Sequence, residues 1–228
     1  MQSNPEIEKA WRIINNTNKS LFLTGKAGTG KTTFLKRVCR TCAKRVVVTA
    51  PTGVAAINAD GVTLHSLFQL PFSPYIPGTP FSKFEIQKFS KSKIKLLRAI
   101  DLLIIDEISM VRADVLDAID TVLRRYRRRN VPFGGVQLLM IGDLQQLSPV
   151  ATGEVWKILQ NYYQTPYFFS SKVLEEVQFT TIELREIYRQ TDPKFLNLLN
   201  QVRNNQLTES SLREINKRYI PGDRKSTR

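Results

Sequence analysis

The segment GKAGTGKT, from Gly25 to Thr32, constrains this chain more than any other part of its sequence. It has the spacing G-x-x-x-x-G-K-[ST], follows the apolar run SLFLT, and precedes a helix-like stretch at 33–42. In that context the pattern predicts a phosphate-binding loop between a strand and a helix. Its glycines let backbone N–H groups close around phosphate oxygens, and the helix N-terminus adds unpaired donors. The chain is therefore expected to bind a nucleoside triphosphate.

Two side chains of this loop have distinct expected roles. Lys31 is expected to reach the β- and γ-phosphates, and the hydroxyl of Thr32 to ligate Mg²⁺. A glycine-rich turn with a surface lysine is the alternative interpretation. The residues predicted to surround the nucleotide phosphates are Gly25, Ala27, Gly28, Thr29, Gly30, Lys31, Thr32 and Thr33.

The run LLIIDE at 102–107 predicts the second half of the nucleotide site. A continuously apolar segment is typical of a strand buried on both faces of a parallel sheet, and open α/β sheets bind ligands at the carboxyl ends of such strands. Asp106 is expected to hold Mg²⁺ through its water shell, and Glu107 to orient and deprotonate the attacking water. In a later strand-end loop, Gln146 is predicted to reach the γ-phosphate or that water; an ordinary polar loop is the alternative.

Alternating strand and helix patterns predict the fold class. They favour an α/β domain in which helices flank a parallel sheet through right-handed crossovers. Predicted strands are 21–24, 45–49, 102–105, 136–141 and 179–184, and predicted helices are 5–16, 33–42, 53–58, 63–68, 90–99, 113–129, 193–204 and 208–219. Between them, residues 69–84 hold four prolines among aromatic side chains, which predicts an irregular insertion.

The net charge of the chain indicates which classes of partner it binds. A formal charge of +14 favours a polyanion such as nucleic acid, with a membrane surface as the alternative. The sequence has no long uncharged apolar segment and no signal or transit pattern, so a cytoplasmic protein is the simple interpretation. Cys39 and Cys42 form a C-x-x-C without further cysteines, and we interpret them as ordinary helix thiols rather than zinc ligands.

Five segments in a fixed order resemble the petite-integration-frequency (Pif) family of superfamily 1B DNA helicases, which are relatives of the RecD helicases. They are GKAGTGKT at 25–32, APTGVAAINADGVTLHSLF at 50–68, DEISMV at 106–111, PFGGVQLLMIGDLQQLSPV at 132–150 and LREIYRQTDPKFLNLLNQVR at 184–203. The segments at 50–68 and 142–150 are specific to this helicase branch. The resemblance covers nearly the whole chain and implies a RecA-like P-loop domain that uses ATP and Mg²⁺.

The resemblance also implies residue roles and domains. Gln146 corresponds to the glutamine that couples the γ-phosphate to DNA, and Arg189 to an arginine that contacts the γ-phosphate. The residues implied along the single-strand DNA path are Thr52, Gly53, Asn58, His65 and Ser66, with Phe72 and Tyr75 on a small wedge. The implied ATPase domain (1A) comprises 1–68 and 85–228, and the implied wedge insertion (1B) comprises 69–84.

Two departures from the family pattern shape the expectations. Glu8 stands where the family carries a glutamine that reads adenine, and an ionised glutamate can only accept hydrogen bonds. The family's second RecA-like domain, with its second arginine, does not occur in this sequence. We therefore expect a monomeric first motor domain of a 5′-to-3′ helicase, of very low activity alone, with single-stranded DNA and single-strand/duplex junctions as partners.

Two basic clusters have more than one interpretation. The lysines beside the insertion, at 83, 88, 91, 93 and 95, predict strand contacts next to stacking aromatics, with a solvated helix face as the alternative. The arginines at 124–129 complement the dipole of a helix that carries Asp114, Asp117 and Asp120 near its start, with DNA contact as the alternative. Two rival functions stay open: a DNA-associated ATPase that loads or remodels without unwinding, and a nucleotide-gated DNA-binding module.

Overall fold

The computed structural model describes residues 4–78, 89–188, 192–217 and 219. The chain divides into two compact units, Met1–Ile187 and Tyr188–Arg228. The predictions for Lys83, Lys88, Arg189 and the second part of the insertion, 79–84, lie outside the described residues. The domain boundaries implied by the resemblance stay predictions.

The first unit is built on a six-stranded sheet in which every described pairing is parallel. Its strand order is β3-β2-β4-β5-β1-β6, so the strand before the phosphate loop pairs with β5 and β6. The strands are β1 Ser20–Gly25, β2 Val46–Ala50, β3 Val62–Thr63, β4 Leu102–Ile105, β5 Gln137–Ile141 and β6 Phe179–Leu184. This confirms the predicted fold class.

Nine α-helices lie within the described residues, seven in the first unit and two in the second. They are α1 Pro5–Asn16, α2 Lys31–Thr41, α3 Gly53–Asn58, α4 Leu64–Phe68, α5 Lys91–Ala99, α6 Ala113–Tyr126, α7 Gly153–Leu159, α8 Pro193–Arg203 and α9 Glu209–Asn216. The sequence reasoning missed β3 and α7; β3 has only two residues, too few to establish a hydrophobic period.

Alternation along β4 divides the core between the two faces of the sheet. Leu102 and Ile104 pack into a cluster with side chains of α1 and α2, whereas Leu103 and Ile105 pack into a cluster with side chains of α4, α5 and α6. Successive side chains of a strand point to opposite faces, so a fully apolar strand requires cover on both. The continuous run at 102–105 therefore indicated a helical layer on each face.

The three aspartates of α6 are buried, and two of them, Asp117 and Asp120, lie beyond the first turn, where a carboxylate interacts with the helix dipole. Only Asp114 lies in the first turn of α6. Asp117 accepts hydrogen bonds from the Tyr163 hydroxyl at 2.8 Å and from the backbone N–H groups of Lys172 and Val173 at 3.0 and 2.9 Å. Asp114 accepts from the Tyr75 N–H, and Asp120 from the Phe133 N–H. Each carboxylate thus fixes a separate loop to one helix.

Helix α6 ends at Tyr126, three residues before the predicted Arg129. Beyond it, the Arg127 guanidinium donates to the carbonyls of Leu97 and Arg98 at the end of α5. In return, Arg98 Nε donates to the Tyr126 carbonyl at 3.0 Å. Each helix end therefore satisfies last-turn carbonyls of the other, which would otherwise lack partners. Part of the arginine run is explained by this reciprocal capping.

The three hydrogen bonds that Asp117 accepts lead to a prediction about the stability of the fold. Replacing Asp117 with alanine leaves three donors of the 163–173 segment without their acceptor, each at a cost of about 1–3 kcal/mol when buried. We expect the free energy of unfolding to fall by about 3 kcal/mol or more. Unfolding in urea, followed by intrinsic tryptophan fluorescence, measures it. Glu175→Ala, on an exposed side chain of the same region, is the control. A loss no greater than the control's would contradict this anchoring role.

Candidate nucleotide and DNA site

Three loops of the predicted nucleotide site meet at Gly142, at the carboxyl edge of the sheet. Its N–H donates to the carbonyl of Leu23, next to the phosphate loop, at 3.2 Å. A Cβ at Gly142 would lie 2.9 Å from Ile108 Cγ2 and 3.1 Å from the Ser109 nitrogen, in the segment after Glu107. Only a residue without a side chain permits this approach. The structure therefore brings together the loops that carry Lys31, Glu107 and Gln146.

The phosphate loop connects β1 to α2 with the backbone that the motif predicted. Gly28 and Gly30 have φ angles of 82° and 97°, in the left-handed region that favours glycine. Helix α2 begins at Lys31, and Gly30 provides no side-chain cap for its first N–H groups. The Lys31 ammonium folds back over the loop and donates to the carbonyls of Gly25 and Lys26. The loop thus concentrates backbone donors and a cation where an anion would bind.

The acidic end of β4 is constrained in both backbone and charge. The Asp106 N–H donates to the Thr49 carbonyl at 2.8 Å, which ties it to β2. Burial, and secondly the neighbouring Glu107 carboxylate, raise the pKa of Asp106 to about 6. Glu107 has φ 51° and ψ 43°, a left-handed conformation that costs a non-glycine residue about 1–3 kcal/mol and that clusters at functional sites. Two neighbouring carboxylates at this position favour the binding of a cation.

The donor set fits Mg²⁺. Mg²⁺ uses one or two carboxylates together with phosphate oxygens and waters, rather than a cage of protein ligands. Asp106 would supply the carboxylate, and Thr32 would supply a hydroxyl from the first turn of α2. Among the described residues, no cluster of three or more His, Cys, Asp or Glu side chains could hold a metal. Such an arrangement needs the nucleotide to complete the coordination.

The loop after β5 orients Gln146 through a residue that sequence reasoning missed. Asp143 is 2% exposed, and its carboxylate accepts from Gln146 Nε2 at 3.0 Å and from the Gln145 N–H at 3.1 Å. An acid directly after an apolar strand, followed by two glutamines, was the available signal. Asp143 thus fixes the amide of Gln146 within the loop that begins at Gly142.

Glu8 is bound by an arginine of α2. Its carboxylate accepts from the Arg37 guanidinium at 2.6 and 3.4 Å, and that guanidinium also lies 4.7 Å from the centre of the Trp11 ring. These hydrogen bonds are the main cause that lowers the pKa of Glu8. Glu8 is therefore ionised at neutral pH and acts as an acceptor. Arg37 carried no sequence signal, because its partner lies far away in the sequence.

Two of the residues predicted for the DNA path share a groove of about 170 Å³ beside this edge. Thr52, the N-cap of α3, and His65 line it together with Arg112. Burial, and secondly the Arg112 charge, lower the pKa of His65, which keeps its imidazole neutral at pH 7. Phe72 stacks on His65 with ring centres 5.1 Å apart and is itself 86% exposed. The groove therefore offers a flat aromatic surface beside a cation.

The other predicted DNA residues are placed differently. Gly53 and Asn58 are exposed at the two ends of α3, and Ser66 is exposed on α4. Tyr75 is partly buried against α6, where its hydroxyl hydrogen-bonds to Thr121 at 2.9 Å. Tyr75 therefore anchors the insertion. Its contact with DNA stays a prediction, as do those of the other residues.

A parallel sheet with a phosphate loop and an acidic strand end at one edge defines a P-loop NTPase domain. Comparison with known proteins narrows this class. The family model described as PIF1-like helicase matches residues 4–213, and the chain belongs to that family. No described helix has the length and apolar character required to cross a membrane.

Relatives and solved structures agree on this family. The chain is 34% identical over 226 residues to ATP-dependent DNA helicase PIF1 of Saccharomyces cerevisiae, covering 96% of this chain and 25% of that protein. A crystal structure of Pif1 helicase from Bacteroides with ADP-AlF3 and single-stranded DNA matches with TM-score 0.89 and 46% identity, over 99% of this chain and 52% of that one. A structure of two coordinating Pif1 helicases at forked duplex DNA matches with TM-score 0.90 and 46% identity, over 96% and 53%. The chain thus spans about a quarter of the curated relative and half of the solved chains.

The position of Glu8 leads to a prediction about how the site distinguishes adenine from guanine nucleotides. If its carboxylate lies at the base, Glu8→Gln supplies an amide that both accepts from the adenine N6 amine and donates to N7. We expect the affinity for ATP, measured by calorimetric titration, to rise relative to that for GTP. Arg37→Ala is the control, because it frees the carboxylate of Glu8 without supplying a donor. Equal changes for both nucleotides in Glu8→Gln would show that this position does not read the base.

Proposed function

We propose that this chain is the first motor domain of an ATP-dependent 5′-to-3′ DNA helicase, which couples ATP hydrolysis to movement along single-stranded DNA and to unwinding. The observation that carries the proposal is the convergence of three loops on Gly142, beside a groove that contains His65. The relatives named as ATP-dependent DNA helicases, and the matched Pif1 structure with a nucleotide analogue and single-stranded DNA, support it. The polarity follows from the resemblance alone.

The proposed chemistry assigns each side chain one task. Lys31 and the backbone donors of the phosphate loop bind the triphosphate, while Thr32 and Asp106 hold Mg²⁺. Glu107 accepts a proton from the attacking water as the water oxygen bonds to the γ-phosphorus; the bond from that phosphorus to the β–γ bridging oxygen breaks, and ADP leaves with the electron pair. Gln146, oriented by Asp143, hydrogen-bonds to the γ-phosphate or that water. Arg189 supplies a further positive charge for the γ-phosphate.

A short covalent segment connects this chemistry to the DNA groove. Glu107 is followed by one turn of 3₁₀-helix, Ile108–Met110, and then by Arg112, which lines the groove with His65 and Thr52. The Arg112 side chain is held by Asp114 at 2.8 Å. A shift of Glu107 on nucleotide binding or hydrolysis therefore reaches the groove within five residues. This is the proposed route by which ATP changes the grip on the strand.

The proposed domain organisation follows the resemblance. Residues 1–68 and 85–228 form the ATPase domain and 69–84 the wedge, with a second RecA-like domain required to complete the motor. The proposed partners are single-stranded DNA and its junctions with duplex, and we propose that the chain acts as a monomer. A cytoplasmic location stays a prediction.

The role of Glu107 is tested by Glu107→Gln in a longer chain that includes a second RecA-like domain. The amide keeps the size of the side chain but cannot accept the proton, so steady-state ATP hydrolysis should fall about 10²–10⁴-fold. Mg-ATP binding should persist. Glu183→Gln, at an exposed position on β6, is the control. Turnover close to that of the wild-type protein would remove Glu107 from the role of base.

The 228-residue chain alone should bind Mg-nucleotide, hydrolyse it very slowly and separate no strands. The resemblance implies that ATP is hydrolysed between two RecA-like domains, and a missing arginine finger can cost about 10³–10⁵ in rate. A single domain also cannot alternate its grip against another. A tailed-duplex unwinding assay tests this, with sedimentation to identify dimers.

Robust ATP-dependent strand separation by a monomer would contradict the two-domain requirement. Hydrolysis stimulated by single-stranded DNA in the longer chain, without unwinding of any duplex, would instead favour the loading or remodelling ATPase. DNA binding that responds to nucleotide with negligible hydrolysis in the longer chain would favour the nucleotide-gated binding module.

A further inference from the structure

The insertion that begins at residue 69 is rooted along helix α6. Near the start of α6, the Asp114 carboxylate accepts the Tyr75 N–H at 2.9 Å, and two turns later Thr121 hydrogen-bonds to the Tyr75 hydroxyl. On the other side of the insertion, Phe89 packs edge-on against Tyr126, with ring centres 5.0 Å apart and planes at 83°. Described residues on both sides of 79–88 therefore contact the same helix.

The arginines at the end of α6 divide into two groups. Arg124 is held by Asp120 at 2.7 Å and by Glu176 at 2.9 Å, and Arg127 caps α5 as described above. Arg125 and Arg129 are exposed and line a cleft of about 560 Å³ together with Arg124 and Thr121. The Arg125 guanidinium lies over the Tyr126 ring at 5.6 Å. Three of the four described residues that line this cleft are therefore arginines, and one of them, Arg124, also contacts Asp120 and Glu176.

The basic cleft and the groove with His65 lie at opposite ends of α6. Arg112 and Val115, at the start of the helix, line the groove, whereas Arg125 lies in the last turn of α6 and Arg129 lies three residues beyond its end. Ten residues of helix separate Val115 from Arg125, which corresponds to about 15 Å. The anchored base of the insertion, at Tyr75, lies between them. A DNA molecule whose single strand occupies the groove would meet the cleft only on the far side of the insertion.

We propose that this basic cleft binds phosphates of the duplex arm of a single-strand/duplex junction. The guanidinium group suits the task because it binds phosphate oxygens in a bidentate manner and keeps its charge at any physiological pH. The proposal rests on the proposed function, since it takes the groove as the single-strand path and the insertion as the wedge. In this arrangement α6 carries contacts to both arms of the junction, and the cleft positions the duplex against the wedge.

The test compares two DNA probes with matched charge-reversal variants of the 228-residue chain. The probes are a single-stranded oligonucleotide and the same oligonucleotide extended by a duplex arm, each titrated by fluorescence anisotropy over a range of salt concentrations. The cleft variant is Arg125→Glu with Arg129→Glu. The control is Lys36→Glu with Arg40→Glu, which changes the charge equally, at the same spacing, on exposed positions of α2 beneath the other face of the sheet.

The cleft variant should lose about tenfold or more in affinity for the tailed duplex, and its slope of log affinity against log salt should decrease by about two. Its binding of the single strand should match that of the control. Arg125→Lys with Arg129→Lys should retain most of the duplex affinity, because the positive charges remain. Thermal unfolding of each variant verifies that the fold is intact.

Four results would overturn the proposal. Equal losses on both probes would place the cleft on the single-strand path, and cleft and control variants that behave alike on both would show that it contacts no DNA. A wild-type chain that binds neither probe at low salt would overturn the proposed function together with the cleft. Binding of the single strand with no gain from the duplex arm would overturn the cleft alone.

Discussion

The parallel pairing of β4, β5 and β1 is the constraint on which the rest of this structure depends. Parallel strands end at the same edge, so loops far apart in the sequence meet in space. The register places Leu21 opposite Leu139, and Ile104 opposite Leu139 on the other side of β5. Gly142 brings two of these segments into contact, because it has no side chain between the loop after β5 and the segment after Glu107. A shift of any one strand would separate the phosphate loop from the acids.

Helix α6 extends that arrangement from the nucleotide edge to the rest of the domain. Its buried carboxylates bind the insertion through Tyr75, the 163–173 segment, and the turn at Phe133. Ionised groups are expensive to bury unless they are fully hydrogen-bonded, so such carboxylates fix geometry at a cost in stability. The helix thereby fixes the positions of the groove, the base of the proposed wedge and the basic cleft relative to one another.

The parts of the site that were predictable from sequence are those with local signals. The phosphate loop depends on glycine conformations, and β4 on a continuous apolar run, so both follow from neighbouring residues alone. The length of α6 was predicted wrongly because Arg127 leaves the helix to cap α5, a contact that no local pattern encodes. The role of Asp117 as an acceptor was missed for the same reason, because its hydrogen-bond partners lie 46 to 56 residues away. Arg37 and its ion pair with Glu8 belong to this class of long-range contacts.

The most direct test of this account is calorimetric titration of the 228-residue chain with Mg-ATP, compared with Lys31→Ala. The account predicts one nucleotide per chain for the wild-type protein. It also predicts a strong loss of affinity in the variant, because a cation that contacts the phosphates is removed. Far-ultraviolet circular dichroism should show the fold unchanged. Stoichiometric binding of equal affinity by both proteins would contradict the assignment of the nucleotide to the Gly25–Thr32 loop, and with it the site from which the proposed function is built.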